Sequence, residues 1–212
     1  MKKCRLCPRE CGVDRAAGER GRCGMTDKLV VARAALHMWE EPCLSGEEGS
    51  GTVFFSGCAL GCVYCQNREI ARAHTGKEIT AQRLTDIFLE LQNKRANNIN
   101  LVTAGHYLPQ VITALRAAKE RGLRIPIVYN SSGYEKAEAI RELDGLVEIY
   151  LSDMKYVSSE LSARYSFAAD YFETAKKAIA EMVNQCGEAR FDERGIMPVS
   201  YTHLTLPTTP YV

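Results

Sequence analysis

The chain has 212 residues, enough for one sizeable domain, with 27 Lys and Arg against 26 Asp and Glu. The nearly equal numbers of positive and negative side chains create no strong net electrostatic field, so we predict neither nucleic acid nor a membrane as a partner. No apolar run could span a bilayer, and residues 1–5 lack the apolar core of a secretory signal. The nine cysteines therefore favour metal ligands over disulfides, in a reducing cytoplasm.

Residues 1–45 are predicted to form a small Cys-rich metal-binding segment. Its N-terminal cysteines are Cys4, Cys7, Cys11 and Cys23. Four thiolates can close a tetrahedral zinc site or hold a fully ligated second Fe–S cluster, and the spacing does not choose between these metals. One alternative is a set of buried free cysteines. Another is a docking module for nucleic acid or protein, which the acidic residues among its arginines disfavour.

The rest of this segment is predicted to join it to the following domain. Residues 30–36 read as a short apolar strand, and residues 45–51, rich in Gly, Ser and Glu, as a linker. Between them, His37 and Cys43 could be metal ligands, but a packed seam between domains is the favoured interpretation. Trp39 is the only tryptophan, and we predict that it lies in the core.

The strongest chemical signal lies between residues 51 and 67. A β-type run over 52–56 ends at Gly57, and a tight loop then carries the loop cysteines, Cys58, Cys62 and Cys65, in the spacing C-x3-C-x2-C. Three thiolates can hold three irons of a [4Fe–4S] cluster, whereas a closed cluster needs four. The next cysteine, Cys186, is far along the chain, so the fourth iron would be open to a ligand. The alternative is zinc, which would need a fourth ligand nearby, and His74 is the nearest candidate.

This spacing resembles the cluster loop of the radical S-adenosylmethionine (SAM) enzymes. The resemblance implies that SAM chelates the open iron and is cleaved reductively, yielding a 5′-deoxyadenosyl radical that abstracts hydrogen from a substrate. It also implies that Tyr64, just before the third cysteine, lies beside the adenine of SAM. A reduced flavodoxin or ferredoxin would supply the electron.

After the loop the chain alternates apolar strands with amphipathic helices, which is typical of a parallel α/β sheet. With the run at 52–56, strands are predicted at 99–103, 125–129 and 147–151. Right-handed crossovers would bring the carboxyl ends of these four strands to one rim, where parallel barrels carry their active sites. We therefore predict an α/β fold, a partial radical SAM (βα) barrel truncated after about four strands, preceded by the small Cys-rich segment.

Polar residues follow three of these strands at the predicted rim. They are Thr103 and His106, then Asn130 and Ser132, and finally Asp153 and Lys155. The resemblance implies that all six bind SAM, although the Gly-Gly-Glu segment of the family is absent, so Thr103 and His106 are assigned by position only. Amide and hydroxyl groups suit the ribose or carboxylate of SAM, and a lysine held by an aspartate suits a carboxylate. An ordinary loop histidine, a helix cap at Ser132 and an Asp–Lys surface pair are the alternatives.

The arrangement also resembles the activating enzymes of glycyl radical enzymes, typified by pyruvate formate-lyase activating enzyme. The match is closest to a subgroup with Cys-x2-Cys-Pro-Arg-x-Cys-Gly-Val at the front and Gly-Thr-x-Phe-Phe-Ser-Gly-Cys in the core. The resemblance implies a protein partner whose glycine is the target, and it leaves the substrate of the subgroup open. The alternative function is a non-catalytic Fe–S or zinc protein that carries electrons or stabilises a fold.

The end of the chain does not fit this pattern. After Arg194 there is no Lys, Arg, Asp or Glu, and prolines at 207 and 210 would interrupt a central strand. Residues 198–212 resemble a translated sequencing adapter, so we expect a truncated product whose incomplete radical SAM core spans 46–197. A natural disordered tail is the alternative. Truncation would leave an unpaired sheet edge and an incomplete SAM pocket.

Overall fold

A computed structural model describes residues 3–187 and 190–197, together with the backbone of 201–205. The strands are β1 Val30–His37, β2 Ser50–Phe55, β3 Lys77–Glu78, β4 Ile99–Val102, β5 Ile127–Ser131, β6 Ile149–Asp153 and β7 Tyr201–Thr205. The helices are α1 Pro42–Ser45, α2 Arg68–Ala71, α3 Ala81–Asn93, α4 Leu108–Glu120, α5 Ala137–Arg141, α6 Ser159–Ser166 and α7 Tyr171–Cys186. Within this described part, no helix has the length and apolar character needed to cross a bilayer.

The strands form one sheet in the order β3-β1-β2-β4-β5-β6-β7. From β2 to β7 all neighbours are parallel, whereas β1 runs antiparallel to both β2 and β3. The four predicted parallel strands and the α/β fold are thereby confirmed. Their carboxyl ends meet at one rim, because Phe54 pairs with Val102, Val102 with Asn130 and Asn130 with Leu151.

The end of the chain corrects one expectation. The sheet does not stop after four parallel strands, because Tyr201–Thr205 pairs in parallel with Ile149–Asp153 as β7. Three of its five residues, Tyr201, Thr202 and Thr205, are aromatic or β-branched, a composition that suits a strand, and the prolines at 207 and 210 lie beyond it. The rest of the predicted non-native tail, residues 198–200 and 206–212, lies outside the described residues.

The predicted linker at 45–51 is also corrected, because this stretch is packed into the sheet. Ser45 and Ser50 are buried. Asn98 donates to the carbonyl of Leu44 at 2.8 Å, and Asn97 donates to that of Ser45 at 2.6 Å. The strand before this stretch pairs with the strand after it, so one continuous sheet crosses the domain boundary predicted at 45/46.

The outer face of the sheet is covered by helices whose apolar stripes match the predicted period. In α3, Leu84, Phe88 and Leu91 are almost wholly buried, because residues three and four apart share one helical face. Burying each such side chain stabilises the fold by about 1.5–3 kcal/mol. In α7, Ala175, Ile179 and Met182 are buried, whereas Phe172 is half-buried and Val183 is exposed.

The inner face of the sheet is divided into two parts. Near the amino ends of the strands, Val128 and Ile149 pack with Leu44 of α1 and with Met197, whose backbone N–H donates to the Cys43 carbonyl at 2.9 Å. Nearer the carboxyl ends, the same face carries polar side chains such as Asn130 and Asp153. The α1 segment therefore fills the lower part of this face and leaves the upper part open.

Candidate active site

A cavity of about 700 Å³ opens at the carboxyl rim of the parallel strands. Its volume lies in the range that accommodates a cofactor-sized ligand. The lining includes all three loop cysteines and six of the seven residues predicted to contact SAM, namely Tyr64, Thr103, Asn130, Ser132, Asp153 and Lys155. Residues from four separate strand ends and the cysteine loop are therefore brought together as the topology predicts.

The loop leaves β2 through a turn that only glycine can make. Gly57 has φ of 88°, and a Cβ there would lie 2.6 Å from the carbonyl oxygen of Cys23. Further along, the N–H of Val63 donates to the Tyr165 carbonyl at 2.9 Å, which fixes the loop to α6. Tyr64 is half-exposed and meets the edges of Tyr156 and Tyr165, with ring centroids 6.3 and 6.5 Å away.

Cys58 lies in surroundings that suit a metal-bound thiolate. Burial raises the pKa of its thiol to about 11, and hydrogen bonds from the backbone N–H groups of Gly61 and Leu60 oppose that shift. Metal binding would replace the thiol proton, and the same N–H groups would then stabilise the negative charge on sulfur. The loop thus supplies both a ligand and compensation for its charge.

The chemistry of the donor set fits a [4Fe–4S] cluster with one open iron. No fourth cysteine is among the described lining residues, and Cys186 lies at the end of α7, where its thiol contacts the Glu148 carbonyl at 3.6 Å. Among the described residues, no three His, Cys, Asp or Glu side chains converge on a single metal ion. A cubane cluster binds each thiolate at a separate iron, so the loop cysteines need only line one space.

Arg9 joins the N-terminal segment to the cysteine loop. Its guanidinium donates to the carbonyls of Ala59 at 2.9 Å, Leu60 at 3.1 Å and Ser166 at 2.8 Å, and also to that of Phe167. A planar guanidinium spreads five N–H donors over three nitrogens and can reach four separate carbonyls, whereas a lysine has three donors on a single nitrogen. Arg9 therefore holds the loop and the end of α6 in one arrangement.

His106 is the one predicted SAM contact that does not line the large cavity. It lies in a 3-10 turn, Gly105–Tyr107, and its Nε2 is 2.7 Å from the Ser56 carbonyl. Burial lowers the pKa of His106 to about 4, and Arg15 donates to its backbone carbonyl at 2.6 Å. This location supports a role in positioning the start of the cysteine loop, and it does not support the SAM contact predicted from chain position.

Thr103 and Ser132 line the cavity beside Cys58. Thr103 has φ of 60°, an uncommon conformation for a β-branched residue, and its N–H donates to the Asn130 carbonyl at 2.9 Å. The carbonyl of Ser132 accepts a hydrogen bond from the Tyr171 hydroxyl at 2.7 Å. Strained backbone of this kind costs about 1–3 kcal/mol and is concentrated at functional sites.

Asp153 and Lys155 form an ion pair at the end of β6. Burial alone would lower the pKa of Lys155, but the Asp153 carboxylate outweighs that effect and raises it. The N–H of Lys155 donates to the Tyr171 hydroxyl at 2.8 Å, which fixes the backbone of the strand end. The ammonium group therefore stays charged within the cavity and is held in place.

The chain between β1 and α1 also contributes to this site, which the sequence does not predict. His37, Trp39 and Glu40 line the cavity together with Phe54. Trp39, predicted to lie in the core, is 88% exposed. Glu40 reaches the inner face of the sheet, where its carboxylate accepts hydrogen bonds from Asn100 at 2.8 Å and Asn130 at 3.3 Å. No local pattern in the sequence predicts that this segment reaches the cavity. The only hint is the single tryptophan, Trp39, beside Glu40 and Glu41.

The N-terminal cysteines lie apart from the cavity. A Cβ built at Gly21 would be 3.0 Å from the sulfur of Cys11 and 3.7 Å from that of Cys23, so these two thiols approach each other across the glycine. Burial raises the pKa of Cys7 to about 12 and also raises that of Cys23, with charge repulsion from neighbouring N-terminal cysteines adding to both shifts. The metal predicted for this set remains a prediction.

Comparison with known proteins identifies the family of the chain. The radical SAM superfamily matches residues 52–198. The uncharacterized protein MJ0674 of Methanocaldococcus jannaschii is 31% identical over 183 residues, covering 84% of this chain and 52% of the relative. The pyruvate formate-lyase-activating enzyme of Clostridium pasteurianum is 33% identical over 138 residues, covering 62% of this chain and 56% of that enzyme.

A third relative is the pyruvate formate-lyase 1-activating enzyme of Escherichia coli K12, which is 28% identical over 113 residues, covering 51% of this chain and 46% of that enzyme. The chain thus spans about half the length of these relatives. The superfamily match covers more than half of the chain and contains the loop cysteines and every predicted SAM contact. The chain belongs to the radical SAM superfamily.

Proposed function

We propose that the loop cysteines bind a [4Fe–4S] cluster whose fourth iron binds SAM, and that the chain catalyses radical hydrogen abstraction. One observation carries the proposal: three thiols without a fourth described cysteine line the same cavity as six predicted SAM contacts. When bound, the cluster and SAM supply a 5′-deoxyadenosyl radical by reductive cleavage of a carbon–sulfur bond.

The residues of the chain would hold and orient SAM in this cavity. Lys155, kept charged by Asp153, offers a cation to the SAM carboxylate. Asn130 and Ser132 offer an amide and a hydroxyl to the ribose, and the half-exposed ring of Tyr64 offers a face to the adenine. Thr103 places a backbone turn next to Cys58, where the amino group of SAM would bind.

The substrate and partners follow from the relatives and are also proposals. Two relatives are named as activating enzymes of pyruvate formate-lyase. We therefore propose that the hydrogen donor is a glycine in a glycyl radical enzyme or another protein. A reduced flavodoxin or ferredoxin would supply the electron, in a cytoplasm reducing enough to keep the cysteines as thiols.

The test is anaerobic reconstitution of the protein with iron and sulfide, followed by metal and sulfide analysis. The wild type is compared with Cys58→Ala/Cys62→Ala/Cys65→Ala and with Cys43→Ala, a control that removes a thiol outside the cavity. The triple variant is expected to lose about four irons per chain. The control is expected to keep them.

The electron paramagnetic resonance signal of the reduced cluster distinguishes catalysis from electron transfer. Adding SAM should change this signal in the wild type, because a ligand reaches the open iron, and 5′-deoxyadenosine should form under dithionite. A resonance signal that does not change when SAM is added would favour the alternative, a non-catalytic Fe–S protein. Zinc alone, unchanged in the triple variant, would contradict the catalytic proposal altogether.

A further inference from the structure

One wall of the cavity is not used by the proposed SAM contacts. It is formed by the segment that leaves β1 and turns into α1, and it contributes His37, Trp39 and Glu40 to the lining. The carboxylate of Glu40 is fixed there, because the backbone N–H of Glu40 donates to the Ser45 hydroxyl at 3.0 Å and the side chain is bonded to two amides. This wall therefore presents a negative group at a defined place.

The partners of the Glu40 carboxylate are neutral. Asn100 and Asn130 donate amide N–H groups to it, and no ion pair involving Glu40 occurs among the described residues. Burial raises the pKa of Glu40, and the hydrogen bond from Asn100 and the charge interaction with His37 only partly oppose this shift. A partly buried carboxylate without a Lys or Arg partner carries a desolvation cost that a positively charged ligand would offset.

The amide of Asn100 holds the Glu40 carboxylate from within the protein. Its Nδ2 must donate to Glu40, because a carboxylate can only accept, and this fixes the orientation of the amide. Asn100 is buried and does not itself line the cavity. The Glu40 carboxylate, and not the Asn100 amide, is therefore the group that this wall offers to the N–H donors of a ligand.

An aromatic side chain completes the wall. Trp39 lines the cavity although 88% of its side chain is exposed, so its ring is available to a ligand at the cavity entrance. Tryptophan is the aromatic residue that binds cations best through its ring face. The only described cationic side chain of Lys or Arg in the lining is Lys155, and it is already paired with Asp153.

We infer that Glu40 and Trp39 bind a positively charged amino group of the substrate that enters this cavity. The inference rests on the proposed function only in calling that ligand the substrate. Such a substrate would be an amine or a peptide with a cationic side chain. Glu40 would fix its orientation, while the loop cysteines and the rim residues remain occupied by the cluster and SAM.

Fluorescence of Trp39, the only tryptophan, provides a direct test on the reconstituted protein. The probes are n-butylammonium, n-butanol and butanoate, which share a carbon chain and differ in charge, titrated at constant ionic strength and a pH of about 8. We expect a saturable change with butylammonium in the ~millimolar range and none with the other two. Glu40→Gln should weaken butylammonium binding about tenfold or more, as expected when a charged hydrogen bond is lost. Glu47→Gln, which removes an exposed carboxylate, should bind as the wild type does.

Three outcomes would overturn the inference: equal responses to the three probes, unchanged butylammonium affinity in Glu40→Gln, or loss of butylammonium binding when SAM is present. The last would place the amine in the SAM site itself. If Glu40→Gln fails to fold, the comparison of the three probes in the wild type decides. Iron content and the SAM-dependent resonance signal are measured on the same samples. A negative fluorescence result with an intact signal contradicts this inference and leaves the proposed function standing.

Discussion

The two cysteine sets of this chain differ in what surrounds them. The N-terminal cysteines include Cys7 and Cys23, which are buried and have raised pKa values, whereas Cys4 is partly exposed and Cys11 is exposed. The loop cysteines are all partly exposed, and each borders a cavity lined by polar and apolar side chains. A set with buried members away from the cavity can stabilise a fold, whereas a set that opens onto the cavity can also bring a cofactor to a substrate.

The largest expected effect is on stability, and it distinguishes a structural N-terminal set from a catalytic loop set. Cys7→Ser/Cys23→Ser should abolish metal binding at the N-terminal set and lower the free energy of unfolding by roughly 5 kcal/mol or more, because metal-binding free energy at a structural site is folding free energy. Replacing the loop cysteines should leave the unfolding of the cluster-free protein almost unchanged. The measurements are metal analysis and urea unfolding without chelator. Unchanged metal content in the N-terminal variant would contradict a metal there.

A smaller effect is expected where the two regions are joined. Arg9→Lys keeps the charge but has its three N–H donors on one nitrogen, so it cannot reproduce the bonds that separate guanidinium nitrogens make to the carbonyls of Ala59, Leu60 and Ser166. We expect a loss of about 2–3 kcal/mol in unfolding free energy and an altered resonance signal of the cluster. Arg5→Lys, at an exposed position of the same segment, is the matched control. Equal behaviour of the two variants would show that the regions are independent.

An effect of similar size, which depends on pH, concerns Glu135, a buried carboxylate between the two regions. It borders a small pocket with Cys58, and its charge contributes to the raised pKa of Cys7. Burial raises the pKa of Glu135 from 4.5 to about 7, so the folded state binds more protons than the unfolded state between these pH values. Stability should therefore fall as pH rises through this window, by about 3 kcal/mol in total.

Glu135→Gln should remove that decline. The measurement is the unfolding free energy of the variant and of the wild type from pH 4.5 to 8, and the difference between the two isolates the contribution of Glu135. His106 acts in the opposite direction. Its lowered pKa gives stability that is present above its ordinary value of 6.5 and is lost as pH falls toward about 4. This contribution is common to both proteins and cancels in the difference. Parallel stability curves would contradict the assignment to Glu135.

Much of the site could be predicted from the sequence because it depends on local patterns. Apolar runs ending in polar residues mark parallel strands, and their carboxyl ends meet at one rim by topology, so Asn130 and Asp153 could be placed before any coordinates. The location of His106 could not be predicted in this way, because a 3-10 turn brings its ring to the Ser56 carbonyl and not to the large cavity. Glu40 was missed because its place is fixed by contacts with Asn100 and Asn130, which lie 60 and 90 residues away.

Arg9 has a further consequence for how the protein matures. Its carbonyl partners lie 50 residues away at Ala59 and 157 residues away at Ser166. Contacts of such long range form late, because the chain between them must first be ordered. During synthesis, the cysteine loop leaves the ribosome about 100 residues before the end of α6. Arg9 can therefore bond to both the loop and α6 only after that helix has been synthesised. We therefore expect the proposed cluster to enter the completed loop only after α6 has been translated.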